Sequence, residues 1–357
     1  MKYRDFIIFG VLIAIAIAYP WLNPPRYLLA TALILYCYAT VVSQWNVVFG
    51  LAGIFSLAQV AIFAFGAYST ALLGRYLEWS LWYAFPVAGV GGILLSVLIG
   101  LACLRLRGIY VALLTLAVSQ MLFVLIQTDS VCSPLNQVKD PRNCVAFTGG
   151  SQGLGDFGSF GWRAVLGGRD WMIGDYYSML TLLVIGLIVT YLITKSRMGL
   201  AFRALRDNEE LARSRGISQY KYQLLVFALS AFLTSVAGGF YAAHFGSVGV
   251  NLFAFPLLLF LISMLVVGGI GRLWGPLLGA ALLMAADEAF KEFSDWRNIG
   301  LGVVVLLFMI LLPRARDRGI VAKRKCKFAT APKLMVLPTF HIAIDRHSWK
   351  KLGDNIS

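Results

Sequence analysis

Apolar stretches recur along this chain from Phe6 to Leu312, and that recurrence dictates the solvent for which the fold is built. Ten can be read, at about residues 6–22, 27–42, 45–73, 82–104, 109–127, 176–194, 224–246, 256–270, 274–290 and 299–312. One bilayer crossing takes about 20 apolar residues, so a single anchor does not account for them. A soluble globule is excluded too, because 59% of the 357 residues are hydrophobic and 13% charged, with a mean hydropathy of +0.77. Disorder needs the reverse proportions. The sequence therefore predicts an all-α fold, a polytopic transmembrane helix bundle over residues 1–313, followed by a basic tail over 314–357. The third stretch is too long for one straight span and the eighth and tenth are short, which predicts one or more broken or re-entrant helices.

The net charge of +14 raises the question of nucleic acid, but that partner requires a basic face on a folded domain. Here most basic residues lie between apolar stretches. With the N-terminus placed inside, the cytoplasmic segments hold 23 of the 31 Lys and Arg, and without the tail the count is still 12 against 8. This excess follows the positive-inside rule and puts both termini in the cytoplasm of a bacterial-type inner membrane, with no nucleic-acid partner. Lys2, Arg4 and the run ending in Ala16-Ile17-Ala18 also resemble a cleavable signal peptide, and an uncleaved first span would make the same crossing. Cys37 and Cys103 fall in spans and read as packing residues, and Cys326 as an idle thiol in the tail. Cys132 and Cys144 share the long outside loop, where an oxidising periplasm would permit a disulfide.

That outside loop, residues 128–175, contains TGGSQGLGDFG at 148–158. Gly153, Gly155 and Gly158 fit G-x-G-x-x-G, yet no strand precedes them and the loop faces away from cytoplasmic nucleotides. They read as tight turns, or as exposed backbone at a pore mouth. The second long loop, residues 195–223, is cytoplasmic. In it Leu200, Ala201, Ala204, Leu205, Asn208, Leu211 and Ala212 recur at spacings of three and four, predicting a short amphipathic helix. Glu209 stands four residues before Arg213, the favourable order, and Gly216 suits the helix end. The polar face carries both signs of charge, and the apolar side is mostly Ala and Leu. Docking into a cleft of a soluble partner fits this helix better than lying on lipid headgroups. The tail is suited to holding anionic membrane lipid.

No G-x-x-x-x-G-K-[ST] loop occurs, so this chain does not hydrolyse ATP. The spans are nearly free of ionisable residues; His244 lies near an outer end, as do Asp287 and Glu288 beside Lys291. A proton relay is therefore poorly supported, and no catalytic or metal-ligating set sits at one depth. Gly50, Gly53 and Gly66 read as close-packing positions. Ser56, Gln59, Thr115, Ser119 and Gln120, together with Phe63, are candidates for lining a translocation pathway. A Gln in hydrocarbon is costly without a partner or a wet path, and neutral dipoles suit a neutral or zwitterionic solute.

Four blocks carry a family likeness: GLAGIFSLAQVAIFAFGAY at 50–68, RLRGIYVALLTLAVSQ at 105–120 followed by TGGSQGL at 148–154, SRMGLAFRALRDNEELARSRGI at 196–217, and GGIGRLWGPLLGA at 268–280. In order and spacing the chain resembles the permease subunits of branched-chain amino acid type ABC importers, in particular the larger, LivM-like member of the pair. The resemblance implies a second homologous permease, two cytoplasmic ATPase subunits that bind the ATP, and a periplasmic solute-binding protein; this chain itself would hold no cofactor. It also implies that the cytoplasmic helix is a coupling helix, so that Leu200, Arg203, Leu205, Arg206, Asp207, Asn208, Glu209 and Gly216 become the candidate ATPase-coupling residues. The family pattern has Gly-His where this chain has Ala58-Gln59, and related permeases serve leucine-type amino acids, urea and short amides. A stand-alone channel or ion-coupled carrier is the alternative.

Overall fold

The structure is a computed structural model, and it describes residues 10, 13–22, 25–104, 106, 108–129, 146–291, 300, 302, 303 and 305–307. Helix α1 (Arg26–Asn46) continues through a π-helical turn, Val47–Leu51, before the chain leaves helical geometry until Ala58. Helices α2 (Gln59–Tyr76), α3 (Leu81–Cys103) and α4 (Ile109–Gln127) follow. Helix α5 (Trp162–Lys195) starts well before the apolar stretch does and is interrupted at Gly167, where φ is 77°. Two short helices, α6 (Arg197–Asp207) and α7 (Glu209–Ser214), lead into α8 (Gln219–Phe245), α9 (Phe255–Gly268) and α10 (Gly275–Ala289).

The helical, polytopic reading of the sequence holds, and the third apolar stretch, 45–73, is divided between two helices: its first residues continue the helix begun at Arg26, and a non-helical connection at 52–58 leads into α2. Five of the described helical segments are long and apolar enough to cross a membrane: Arg26–Leu51, Leu81–Cys103, Ile109–Gln127, Trp171–Lys195 and Gln219–Phe245. Helices α9 and α10 have 14 and 15 residues, shorter than a straight crossing requires. Of the stretch expected at 6–22, residues 10 and 13–22 are described, helical over 13–18 and ending in the 3-10 turn Tyr19–Leu22, whereas 299–312 lies largely outside the described residues, as do Cys132, Cys144 and the whole tail over 314–357.

Helix α8 sits at the centre and packs most extensively against α2 and α3. Glycines permit this: a Cβ on Gly66 would strike the backbone of Ser235, and one on Gly238 would strike the Phe63 carbonyl. Small residues let backbones approach closely where lipid offers little hydrophobic drive, so the packing reading of Gly66 is what the geometry displays. Cys37 and Cys103 are both free and buried, consistent with packing roles.

Successive helices alternate in direction and gather the connections into two groups. At one end, the strand end, β1 (Leu154–Gly155) pairs antiparallel with β2 (Ser247–Val248), Leu154 opposite Val248. Arg75 donates to the Gly155 carbonyl there at 3.0 Å. The TGGSQGLGDFG motif supplies the turns of this end, with positive φ at Gly149, Gly150, Gly153 and Gly158. The tight-turn reading fits, and the loop folds inward, burying Leu154, Phe157 and Phe160. The other end, the coupling end, gathers residues 52–58 and 104–108 with α6, α7 and the turn between α9 and α10.

Candidate translocation path and coupling site

The break after α1 is held from two sides. The Trp45 indole donates to the Ser56 carbonyl at 2.8 Å, and the Leu57 amide donates to the Thr115 hydroxyl of α4 at 2.9 Å. Thr115 donates in turn to its own helix, at 2.8 Å to the Val111 carbonyl and 3.0 Å to that of Ala112. Buried backbone groups need such partners, and the local bonds of the break, from the Ile54 amide to the Val48 carbonyl and from the Ser56 amide to that of Ile54, leave the Leu57 amide to Thr115. Gln59, in the first turn of α2, donates its side-chain amide to the Thr234 hydroxyl of α8, which donates onward to the Ser230 carbonyl at 2.8 Å. Phe63, one turn further along, is buried edge-on to Tyr38 and Tyr241, with centroids 6.4 and 5.6 Å away.

The six pathway candidates thus fall into three groups. Ser56 lies in the break and Thr115 bonds the adjacent Leu57, Gln59 and Phe63 face α8, and Ser119 and Gln120 lie further along α4. Ser119 is buried, and the Gln120 side-chain nitrogen is buried without a hydrogen-bond partner. Gln44 Oε1, the Tyr68 hydroxyl and the Thr70 hydroxyl share that condition. A buried polar group left unpaired costs about 1–3 kcal/mol, so each is a place where water or a polar solute would be stabilised.

At the coupling end, Ser196 opens α6, its hydroxyl accepting from the Gly199 amide at 3.3 Å. The single amphipathic helix expected over this segment is two helices. Asn208 adopts extended geometry, with φ −157° and ψ 105°, and its side-chain oxygen accepts from the Leu211 amide at 3.0 Å to cap α7. The spacing had put Asn208 on the apolar stripe, but an Asn side chain competes for backbone donors and favours a cap over a helix interior. Glu209 and Arg213 form the anticipated pair at 2.7 Å. Gly216, at φ 80°, ends the unit: its amide reaches the Arg213 carbonyl at 2.9 Å, and the Ile217 amide reaches that of Ala212 at 3.1 Å.

The apolar stripe is divided as well. Phe202, 1% exposed, anchors α6 in a cluster with Val47, Val48, Leu51, Ile193, Val226 and Phe227, whereas Leu200 and Leu211 stand 63% and 58% exposed. Arg203 reaches the Thr194 carbonyl at 3.2 Å, and Arg206, about half exposed and with its Nε 3.9 Å from Asp207, donates to the Gly50 carbonyl. Leu205, Arg206, Asp207, Asn208 and Glu209 line a pocket of about 320 Å³, closed on its other side by residues 52–55, Leu106 and Gly108.

Several functional contacts were not visible in the sequence because their partners lie far along it. Asn46 donates to the Arg272 carbonyl at 2.8 Å and accepts from the Gly271 amide at 2.7 Å. Near the strand end, His244 and Asp175 form a buried pair at 2.8 Å; the hydropathy pattern had left Asp175 in the loop. At the same end Lys291 pairs with Glu288 at 3.3 Å, in a partly exposed setting. Among the described residues no group of three or more His, Cys, Asp or Glu is placed to hold a metal ion.

Comparison with known proteins connects this geometry to a family. The family described as branched-chain amino acid transport system / permease component matches residues 27–312. The chain is 30% identical over 324 residues to the high-affinity branched-chain amino acid transport system permease protein LivM of Escherichia coli (strain K12), covering 88% of this chain and 75% of that one. To LivM of Salmonella typhimurium it is 31% identical over 276 residues, covering 75% and 65%. To the corresponding permease protein LivH of Salmonella typhimurium it is 24% identical over 292 residues, covering 76% and 89%. No solved structure matches the chain.

Proposed function

We propose the following function from the premise that the chain belongs to the family of permease components of branched-chain amino acid transport systems. As a member it is a multi-pass inner-membrane transport subunit that works with other subunits. We infer that it forms half of the translocation path of an ATP-driven ABC importer, beside a second homologous permease, with two cytoplasmic ATPases hydrolysing the ATP and a periplasmic protein delivering solute. Both termini and the coupling end then face the cytoplasm.

The observation that carries this reading is the α6–α7 pair. Buried Phe202 roots it in the bundle, while exposed Leu200 and Leu211 with Asp207 and Glu210 present a mixed apolar and charged surface. An amphipathic helix laid into a partner's groove uses such anchors. ATP binding that draws the ATPases together would move this pair and bias the bundle between two states, so this chain's part is gating and not bond-making. Unpaired Gln120 and the donors and acceptors at Ser56, Gln59, Thr115 and Ser119, beside Phe63, support a zwitterionic amino acid of the branched-chain type as solute, with urea or a short amide as the other fitting class.

Mild-detergent purification of the chain from its native membrane, with mass spectrometry of what stays bound, tests the assembly. Recovery of an ATPase and a second permease, with ATP-dependent leucine uptake after reconstitution, is the expected result. Uptake by this chain alone would transfer the reading to a stand-alone channel or carrier.

A further inference from the structure

The coupling end holds a junction that the docking role of α6 and α7 does not require. At the π-helical turn Val47–Leu51 the α1 ladder runs out, leaving carbonyls without intrahelical donors. The Arg206 guanidinium takes the one at Gly50. To reach it, the arginine stem lies across Gly53, where a Cβ would stand 2.5 Å from Arg206 Cγ and where φ is +73°. Gly50 in turn abuts the α9–α10 turn: a Cβ on it would stand 2.5 Å from the Gly271 amide nitrogen. Asn46 ties that turn down through its two hydrogen bonds to Gly271 and Arg272. Three segments distant in sequence, around Gly50, Arg206 and Gly271, therefore meet through two side chains whose bonds span 156 residues and more.

Mechanically, two of the attachments that hold α6 to the bundle differ in kind, besides the Arg203 bond to the Thr194 carbonyl. Phe202 is held by apolar contact, which is non-directional and lets a ring slide, whereas the Arg206 bond is directional and charge-assisted. Its receiving segment has room to respond, because the pocket of about 320 Å³ borders Gly53, Ile54 and Phe55 on one side and Arg206 and Asp207 on the other. That segment continues directly into Ser56 and Gln59.

Resting on the transporter reading above, we propose that Arg206 is a positioning residue of the coupling step: it clamps α6 to the turn ending α1, so that displacement of α6 reaches the break at residues 52–58 and the α9–α10 turn. Its partner is the permease's own backbone, not the ATPase. A guanidinium suits this clamp because its Nη1 reaches the Gly50 carbonyl beside Gly271 with a delocalised, weakly hydrated charge, whereas a lysine keeps the charge as a compact, strongly hydrated point.

The test compares wild type, R206Q and R206K in the complex purified from its native membrane and reconstituted into liposomes. For R206Q, the partner subunits co-purify as with wild type and ATP hydrolysis continues, while leucine moved per ATP hydrolysed falls at least tenfold; R206K recovers part of that ratio. A simple structural defect would lower hydrolysis and uptake together, leaving their ratio in place. R206Q with an unchanged ratio overturns the clamp, and so does R206Q that releases the ATPase, since Arg206 would then be a docking contact. If R206Q does not accumulate, G53A displaces the same arginine stem and is judged by the same ratio. Failure of wild type to bring down any ATPase would instead defeat the transporter reading, an outcome separate from these.

Discussion

The two ends of the bundle are built from different forces. At the strand end, Trp82, Phe85, Phe160 and Phe240 form a continuous ring cluster, with Phe85 and Phe240 centroids 4.5 Å apart and Phe160 and Phe240 5.1 Å apart. The strand pair and the buried His244–Asp175 contact are added to it. At the coupling end, beside the Phe202 cluster, a helix break, a π-helical turn and a pocket are held by hydrogen bonds between side chains and backbone groups, Trp45 and Arg206 donating, Thr115 accepting and Asn46 doing both. Many small contacts acting together make a stiff cap, and each aromatic pair adds about 0.5–1.5 kcal/mol. A few directional bonds worth about 1 kcal/mol each can be exchanged at little cost. A gate belongs where the second kind of attachment is found.

Four substitutions probe that contrast, taken from the largest expected effect on stability to the smallest. F240A removes a ring shared by Phe85, Phe160 and Trp82 and is expected to cost about 3–5 kcal/mol, seen as a lowered thermal midpoint in detergent. A loss under about 1 kcal/mol would break the claim that this end is the stiff one. D175A leaves buried His244 without its hydrogen-bond partner and should cost about 1–3 kcal/mol in the same assay, with leucine transported per ATP unchanged in the protein that remains folded. At the other end, N208A removes only the cap of α7, an expected loss of about 1 kcal/mol; faster hydrogen exchange confined to the Leu211 region would report it. L211E changes an exposed residue and should shift stability by less than about 0.5 kcal/mol, yet abolish ATP-driven uptake. Normal uptake in L211E would remove α7 from the docking surface.

A fifth measurement sharpens the comparison along the path between the ends. Q59L removes the donor to Thr234 but nearly conserves volume, so assembly with the ATPase should persist while leucine uptake changes at least several-fold. Indifference to the substitution, for every solute tried, would take Gln59 out of the path.

How far these features could be read in advance differs from place to place. The break between α1 and α2 was legible because 45–73 is too long and too rich in small and polar residues for one straight span. The end of the coupling segment was legible from Gly216, whose role is local, whereas its start at Ser196 lies ahead of Leu200, where the three-and-four spacing begins. Its division at Asn208 was written there too, as a residue of high capping preference followed by two glutamates, but the three-and-four spacing on either side masked it. Phe202 was indistinguishable from its apolar neighbours until the cluster that receives it was known. The family blocks at 50–68, 196–217 and 268–280 were visible as separate motifs, and nothing in their spacing showed that Gly50, Arg206 and Gly271 meet.

What the sequence determined by itself is whatever depends on neighbours within a turn or two. Bilayer-length apolar runs make a membrane bundle, because backbone polar groups in lipid must be satisfied within the helix. Ser, Asn and Gly at segment limits cap and end helices, because their bonds reach only three to five residues. The tertiary structure decided which distant group each polar side chain meets: Thr234 for Gln59, Asp175 for His244, the Gly50 carbonyl for Arg206. Those pairings depend on how closely two helices approach and at what height along their axes, which periodicity does not encode and glycines such as Gly66 and Gly238 set only once their partners are in place.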